Sequence, residues 1–439
     1  AFISLGCPKN LTDTEVLMGL LASAGWQITT NEKHAELLVL NTCAFIKPAQ
    51  EESIKTALEL AKLKKKGKCQ YLIMAGCMPQ RYKNSLISLL PEVDAFIGSS
   101  ELYKINKVID KIILEKKTGL IYAASHGACL FDENIPRIKA TPKHTAYVKI
   151  SEGCNNNCAY CSVPSIRGKL KSRPIQSIIN EVKKLVSYGL KEVIFVAQDS
   201  TAYGHDLKIK NGLAKLLKEA VKIKGLKWIR VMYAHPRHIT PQLLKIMAKE
   251  PKICKYLDLP IQHVCDKILR HMKRPYTGKY IEKLIINIRR MIPGITLRTS
   301  LIIGFPGETS KDFESLLSFL ERIKFEKVGA FAYSREEGTP AAKKRGQVPS
   351  QIKNKRVKRV YQLQSQISKG LNNKMIGKAA DILIEGKKGR YFIGRSMGQA
   401  PEIDGETLVA GNKNPHAGQI IKGKITKAGA HDLKACFLT

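Results

Sequence analysis

The feature of this sequence that most limits its fold is a group of three cysteines within eight residues, Cys154, Cys158 and Cys161. We call them the central trio. Thiolates spaced C-x3-C-x2-C are typical ligands of iron-sulfur clusters. Three cysteines leave one iron of a four-iron cluster without a protein ligand, so that iron can bind a second molecule. A structural zinc site is the alternative, but zinc usually takes four ligands in paired spacings. The spacing therefore predicts a cluster site on a loop that the fold must hold in place.

A second set of three cysteines lies in the first part of the chain, where short apolar strands alternate with helices. The strands are expected at residues 2–5, 37–40 and 71–75, and this alternation predicts a parallel, doubly wound sheet. Cys7, Cys43 and Cys77, which we call the N-terminal trio, each follow one of these strands by one to three residues. Since the carboxyl ends of parallel strands share one edge, the three thiols are expected to converge as a second cluster site. Buried cysteines that act as small apolar residues are the alternative.

The first helix is expected to begin at a capping box. The string Thr12-Asp13-Thr14-Glu15 has the required Thr and Glu spacing, and Gly25 is a typical helix end. The polar, irregular stretch 121–145 is expected to be a linker.

Six apolar strands, most of them followed by a helix, are expected between the linker and residue 334. They lie at 147–150, 193–197, 229–233, 256–259, 296–303 and 328–333. Six β-α units are too few for a closed eight-fold barrel, so an open barrel is predicted. After a basic helix at 351–370, five short strands with Gly-rich turns predict a small antiparallel barrel. The expected domains are therefore 1–118, 140–372 and 373–439.

The net charge of +37 favours a polyanionic partner such as RNA. A Lys-rich composition with its charges on solvated faces is an equal alternative. The chain has no run of eighteen apolar residues and no signal-peptide features, so we expect a cytoplasmic protein with no membrane partner. In that compartment eleven cysteines favour metal or redox chemistry over disulfides.

Several strings match the motifs of one enzyme family across nearly the whole chain. They are Gly6-Cys7-Pro8-Lys9-Asn10, Asn41-Thr42-Cys43, Ala75-Gly76-Cys77, the Cys154 loop, Pro260-Ile261-Gln262-His263, Gly304-Phe305-Pro306-Gly307-Glu308 and Ser334-Arg335-Glu336-Glu337-Gly338-Thr339-Pro340. With them the chain resembles the methylthiotransferase family of radical S-adenosylmethionine (SAM) enzymes. The resemblance implies an α/β protein with a flavodoxin-like N-terminal domain, an open (βα)6 radical SAM partial TIM barrel and a C-terminal TRAM barrel.

The same resemblance implies two 4Fe-4S clusters, one on each trio, with SAM bound at the central trio. Cleavage of SAM there starts hydrogen abstraction, and the other cluster delivers a methylthio group. Tyr160 is implied to pack on the cluster or adenine, and Gln198 and Asp199 to contact the SAM amino group. Ser300 and Gly304 belong to the strand implied to contact adenine. No catalytic residue beyond the cluster ligands is predicted, and a reductant such as flavodoxin or ferredoxin is an implied partner.

The family has two relevant branches, and local strings favour one of them. One branch modifies an aspartate β-carbon in the twelfth small-subunit ribosomal protein, and the other an N6-modified adenosine in tRNA. Residues 6–10, 197–204 and 395–405 resemble the ribosomal branch, whereas the tRNA branch typically has Gln-Met at Pro8-Lys9. We therefore expect a ribosomal protein substrate, with ribosomal RNA nearby and tRNA as the alternative. Because that protein is basic, an acidic face at Glu402, Asp404 and Glu406 is expected to meet it.

Two other classes remain as alternatives. An iron-sulfur electron carrier has no need of a six-stranded SAM barrel. An RNA-binding module usually presents clustered aromatic side chains for base stacking, and the C-terminal segment lacks such a cluster.

Overall fold

The computed structural model describes residues 1–124 and 129–438. It shows three successive parts that pack against one another. None of the helices in these ranges is both long and apolar enough to cross a membrane.

The N-terminal part is a five-stranded parallel sheet whose strands lie side by side in chain order. Helices cover both faces, with α1 and α5 on one and α2 to α4 on the other, which confirms the predicted α/β layers. The last strand lies two residues after the expected boundary at 118, so the sheet includes the start of the expected linker. The elements are β1 (Phe2–Ser4), α1 (Pro8–Ser23), β2 (Leu37–Thr42), α2 (Lys47–Lys66), β3 (Tyr71–Gly76), α3 (Cys77–Tyr82), α4 (Ser85–Leu89), β4 (Ala95–Gly98), α5 (Ile105–Leu114) and β5 (Leu120–Tyr122).

The predicted capping box at Thr12 was wrong. Helix α1 begins at Pro8, whose fixed φ suits a first helical turn, and Cys7 is its N-terminal flanking residue. Thr12, Asp13 and Glu15 therefore lie inside the helix, and all three are buried. The Thr12 hydroxyl donates to Lys9 O within α1, whereas Asp13 and Glu15 pair with Lys149, Arg167 and Arg137 outside the helix.

The central part contains six parallel strands, as predicted. They form two three-stranded sheets, β6-β9-β10 and β11-β12-β13, joined by a bridge between Ile229 and Ile253. The elements are β6 (Thr145–Lys149), β7 (Ser151–Glu152), α6 (Val163–Arg167), β8 (Lys171–Ser172), α7 (Ile175–Ser187), β9 (Glu192–Val196), α8 (Gly212–Ala220), β10 (Trp228–Val231), α9 (Pro241–Lys249), β11 (Tyr256–Asp258), α10 (Asp266–His271), α11 (Gly278–Met291), β12 (Thr296–Ile303), α12 (Ser310–Ile323), β13 (Lys327–Ala332) and α13 (Ser350–Asn373).

The C-terminal part is a closed five-stranded barrel. Neighbouring strands are antiparallel except for one parallel pair, β16 with β18. The strands are β14 (Ala379–Lys388), β15 (Tyr391–Ser396), β16 (Thr407–Ala410), β17 (Ile420–Ala428) and β18 (Leu433–Phe437).

The loop between β15 and β16 joins the two barrels. Ala400 packs against side chains inside the central barrel, and Asp404 Oδ2 accepts a 2.8 Å hydrogen bond from the Tyr256 hydroxyl. Arg395 donates to Glu192, the first residue of β9, at 2.7 Å. Both anchor points lie at the amino ends of central strands, opposite the carboxyl ends. Asp404 is therefore part of this internal contact, and the expected three-residue acidic face is wrong at that position.

Candidate active site between the two cysteine trios

All six predicted cysteines line one cavity of about 430 Å³, which we call the shared cavity. It lies where the carboxyl ends of the N-terminal strands meet those of the central barrel. Its volume falls in the range of small-molecule sites in proteins. Tyr160, Gln198 and Asp199 line it as well. Two parts of the chain that are separated by a long stretch of sequence thus supply a single site.

Two predicted site residues are not among those lining this cavity. The Gly304 N–H donates to Glu308 Oε2 at 2.7 Å, and the Lys353 side chain covers the glycine. The Ser300 carbonyl accepts from the Gln262 N–H at 2.9 Å. Their implied adenine contacts remain predictions.

The N-terminal trio is assembled from three separate strand-to-helix junctions. Cys7 precedes α1, Cys43 directly follows β2, and Cys77 is the first residue of α3. Gly6 has φ +92°, and a Cβ there would lie 2.7 Å from the Cys43 Cβ, so the junction requires glycine. Asn10 fixes two junctions together, because its side-chain amide donates to Leu5 O at 3.1 Å and to Thr42 O at 2.9 Å.

Arg167, which follows the central trio on α6, reaches across to the N-terminal trio. Its Nε and Nη2 lie 3.4 and 3.3 Å from Cys77 Sγ. The same guanidinium donates to Asp13 at 2.8 Å and to Glu152 at 3.1 Å. All of these groups are buried. No sequence pattern pointed to Arg167, because its partners come from another part of the chain.

The central trio is stabilised mainly by its own loop. The Asn156 N–H donates to Cys154 Sγ, and the Val163 N–H donates to Cys161 Sγ, both at 3.4 Å. Arg274, also missed from sequence, donates from Nη1 to Cys158 Sγ at 3.4 Å. Each sulfur of this trio therefore has one N–H donor.

The cysteine pKa values reflect burial first and nearby charges second. Burial raises the pKa of Cys43 to about 12, with the neighbouring cysteines adding to the effect. Burial likewise raises the pKa of Cys161 to about 12. Burial would also raise the pKa of Cys7, but Lys9, Arg167 and two backbone N–H groups at the start of α1 lower it overall. A cation bound at Cys43 and Cys161 would favour their thiolate forms against this effect of burial.

The donor sets fit iron-sulfur clusters. Soft thiolates select iron-sulfur or zinc centres, and N–H groups directed at sulfur are a known way in which proteins tune clusters. Both trios combine three sulfurs with such donors. Cluster chemistry is therefore compatible with the side chains at both positions.

A third group of metal-ligating residues adjoins the cavity. Ligand atoms of Asp199, His235 and His238 lie within 4.8 Å of one another. Asp199, however, already accepts hydrogen bonds from Asn156 Nδ2 at 2.7 Å and from Thr201 N at 3.1 Å, and His238 Nδ1 lies 2.8 Å from it. Through Asn156, this carboxylate orients the loop that carries the central trio.

Three family models match successive parts of the chain. Residues 1–98 match the family described as uncharacterized protein family UPF0004, residues 148–320 the radical SAM superfamily and residues 376–437 the TRAM domain. The order agrees with the three parts of the fold.

Curated relatives match the chain over nearly its whole length. The "Ribosomal protein uS12 methylthiotransferase RimO" of Desulforamulus reducens is 46% identical and covers 98% of this chain and 97% of its own length. Proteins of the same name from Citrifermentans bemidjiense and Geobacter sulfurreducens are 46% and 45% identical, each over 99% of this chain and 97% of their own length. The chain belongs to the RimO family. The predicted methylthiotransferase class and its ribosomal branch are thereby confirmed.

Solved structures share the fold at low sequence identity. The radical SAM methyltransferase TsrM from Kitasatospora setae, with cobalamin and a 4Fe-4S cluster bound, has a TM-score of 0.57 at 14% identity. That alignment covers 75% of this chain and 70% of TsrM. A second TsrM structure, with tryptophan and a SAM analogue bound, has a TM-score of 0.54 at 13% identity and covers 73% of this chain and 69% of that one. These RimO-family and TsrM folds share the radical SAM architecture.

Proposed function

We propose that this chain is a radical SAM methylthiotransferase that adds a methylthio group to the β-carbon of an aspartate in ribosomal protein uS12. The observation that carries the proposal is the shared cavity lined by both trios. A reaction that removes hydrogen from a carbon and then delivers sulfur to it needs two reactive centres within reach of one atom. The RimO relative from Desulforamulus reducens, 46% identical over 98% of this chain, supports the same reaction and substrate.

The two trios are proposed to hold one 4Fe-4S cluster each, with SAM on the central cluster. Together these groups supply hydrogen abstraction and the methylthio sulfur. The chain contributes the six thiolates and the N–H donors from Arg167, Arg274 and the loop backbone. Its other task is to exclude water. Apolar atoms of the cavity wall and the C-terminal barrel, which packs against the amino ends of the central strands, shield the reaction.

Further assignments rest on this function. Tyr160, Gln198 and Asp199 line the cavity and are proposed to contact SAM, with Asp199 acting partly through Asn156. The proposed domain boundaries keep 140 and 372 but move the first domain's end to about residue 122, because β5 ends there. A reductant such as flavodoxin or ferredoxin, nearby ribosomal RNA and a cytoplasmic location follow from a ribosomal substrate and a reductive reaction.

The test is mass spectrometry of ribosomal proteins and tRNA from cells with and without this gene. Loss of a methylthio mass from uS12, restored by the gene on a plasmid, supports the proposal. Loss of the methylthio group from tRNA adenosine with uS12 unchanged would assign the chain to the tRNA reaction. A variant lacking the Cys154 thiol is the matched control, since it should fail to restore either product.

A further inference from the structure

Lys9 places an ammonium group inside the shared cavity. It is the second residue of α1 and lines the cavity together with both trios. Its Nζ lies 3.6 Å from the centre of the Tyr233 ring, and its side chain keeps part of its surface open. Within residues 1–124 and 129–438, no carboxylate or other acceptor lies within bonding distance of this ammonium. Among these described residues no carboxylate pairs with this charge, although Lys9 acts on the nearby Cys7 thiol, whose pKa it lowers.

The ring beneath Lys9 is held by a strained backbone. Tyr233 has φ +63°, a region that aromatic residues rarely adopt. Its N–H donates to Asp258 Oδ2 at 3.1 Å, and its carbonyl accepts from Ser200 N at 2.9 Å. Such strain persists where surrounding contacts enforce it and is concentrated at functional sites. Here it directs a central-barrel ring toward a lysine of the N-terminal part.

An ammonium group that lines a cavity is a suitable partner for an anionic ligand. Charge-assisted hydrogen bonds are strong where water is excluded. Under the proposed function, the target β-carbon must sit within reach of both trios. Its own carboxylate is one bond away from that carbon. Lys9, which spans the boundary between the two parts of the site, is therefore well placed to hold that carboxylate.

We propose that the Lys9 ammonium, supported by the Tyr233 ring, pairs with the carboxylate of the substrate aspartate and so positions its β-carbon between the two trios. This inference rests on the proposed function. It makes Lys9 a determinant of specificity for an acidic side chain.

The experiment is a double-mutant cycle on binding. Cluster-loaded enzyme, either wild type or Lys9→Met, is titrated with full-length unmodified uS12. The uS12 carries either the target aspartate or an asparagine at the same position. If the pair exists, Asp→Asn weakens binding to the wild type by about 10- to 100-fold, the range for a hydrogen bond to a charged group. The same change has little effect on Lys9→Met, because the partner is already absent. Lys9→Arg, which keeps the charge, should retain part of the coupling.

Three controls separate this inference from its alternatives. Lys111→Met removes a lysine that lies 5.9 Å from the Tyr122 ring, outside the cavity, and should show the full Asp→Asn penalty. Iron content is measured for every variant, so that a loading defect is recognised. SAM affinity of the loaded enzyme is measured by equilibrium dialysis and should not change in Lys9→Met.

Equal Asp→Asn penalties in wild type and Lys9→Met would overturn the pairing. A lowered SAM affinity with no coupling would assign Lys9 to the SAM carboxylate instead, and would also overturn it. If the wild type binds neither form of uS12, the proposed function itself fails. If the wild type binds uS12 but the Asp→Asn loss of affinity is the same with and without Lys9, only the pairing fails.

Discussion

The two cysteine trios face one cavity but are built in opposite ways. The central trio comes from one loop of eight residues, and two of its three sulfurs accept hydrogen bonds from backbone N–H groups of that loop and its flank. The N-terminal trio comes from three junctions of a parallel sheet, spread over 71 residues from 7 to 77. Its charged donor, Arg167, belongs to the central part.

The two sites therefore depend on different levels of structure. The central trio takes two of its three N–H donors from the backbone of its own loop and flank. The N-terminal trio needs the sheet to fold and the two parts to dock, because Arg167 also pairs with Asp13 on α1. Two further ion pairs strengthen this contact: Lys149 pairs with Asp13, and Arg137 pairs with Glu15. Cluster retention at the N-terminal trio should therefore report on docking.

The largest expected effect comes from removing the central trio. Changing Cys154, Cys158 and Cys161 together to Ala should reduce reconstituted iron from about eight atoms per chain to about half, as expected for loss of one four-iron cluster. Formation of 5′-deoxyadenosine from SAM should disappear. Anaerobic reconstitution with iron and product analysis measures both. Retention of all the iron would show that these cysteines are not ligands.

Removing one ligand of the other trio should separate the two halves of the reaction. Cys43→Ala should abolish methylthio transfer to uS12 while SAM cleavage continues, because the central trio lies on a separate loop. The measurement is quantification of 5′-deoxyadenosine and methylthiolated uS12 in the same reaction. Loss of SAM cleavage with the central cluster intact would mean that the two sites do not act independently.

The positions of the cysteines were predictable because each depends only on the strand or loop that carries it. A thiol that follows a buried strand must lie at the carboxyl edge, whichever helix comes next. Arg167 and Asp404 were not predictable in the same way, since their partners, Cys77 and Tyr256, lie in other parts of the fold. The predicted helix start at Thr12 was wrong for a related reason. Its spacing fits a capping box, but α1 begins at Pro8, and Asp13 and Glu15 form ion pairs with residues outside the helix.

Arg167→Met tests the docking dependence directly. The change leaves Asp13 and Glu152 buried with less compensating charge, and breaking such a network typically costs about 3–5 kcal/mol. We expect loss of iron from the N-terminal trio and of methylthio transfer, with SAM cleavage retained. The matched variant Arg274→Met removes the corresponding arginine from the central trio, where two backbone donors remain, so iron there should be kept. Loss of SAM cleavage in Arg167→Met, with the iron of the N-terminal trio retained, would reverse the comparison.

The smallest expected effect concerns a single hydroxyl beside Cys43. Ser53 Oγ donates to the Cys43 carbonyl at 2.9 Å and accepts from the Cys43 N–H at 3.3 Å, so it holds that junction from α2. Ser53→Ala should cost about 1 kcal/mol, the usual value for a buried hydrogen bond, and speed iron release from the N-terminal trio about fivefold. Stopped-flow chelation of the loaded protein measures the rate.

Ser165→Ala is the control, since that hydroxyl also bonds to a backbone carbonyl, Ser162 O at 2.8 Å, but lies on the exposed side of α6 beside the central trio. Its iron-release rate should match the wild type, because the change touches neither the two backbone N–H donors to the sulfurs there nor Arg274. Equal acceleration in both variants would indicate a general loss of helix stability. Acceleration confined to Ser53→Ala would show that the N-terminal trio depends on side chains brought from a distance, whereas the central trio depends on its own loop.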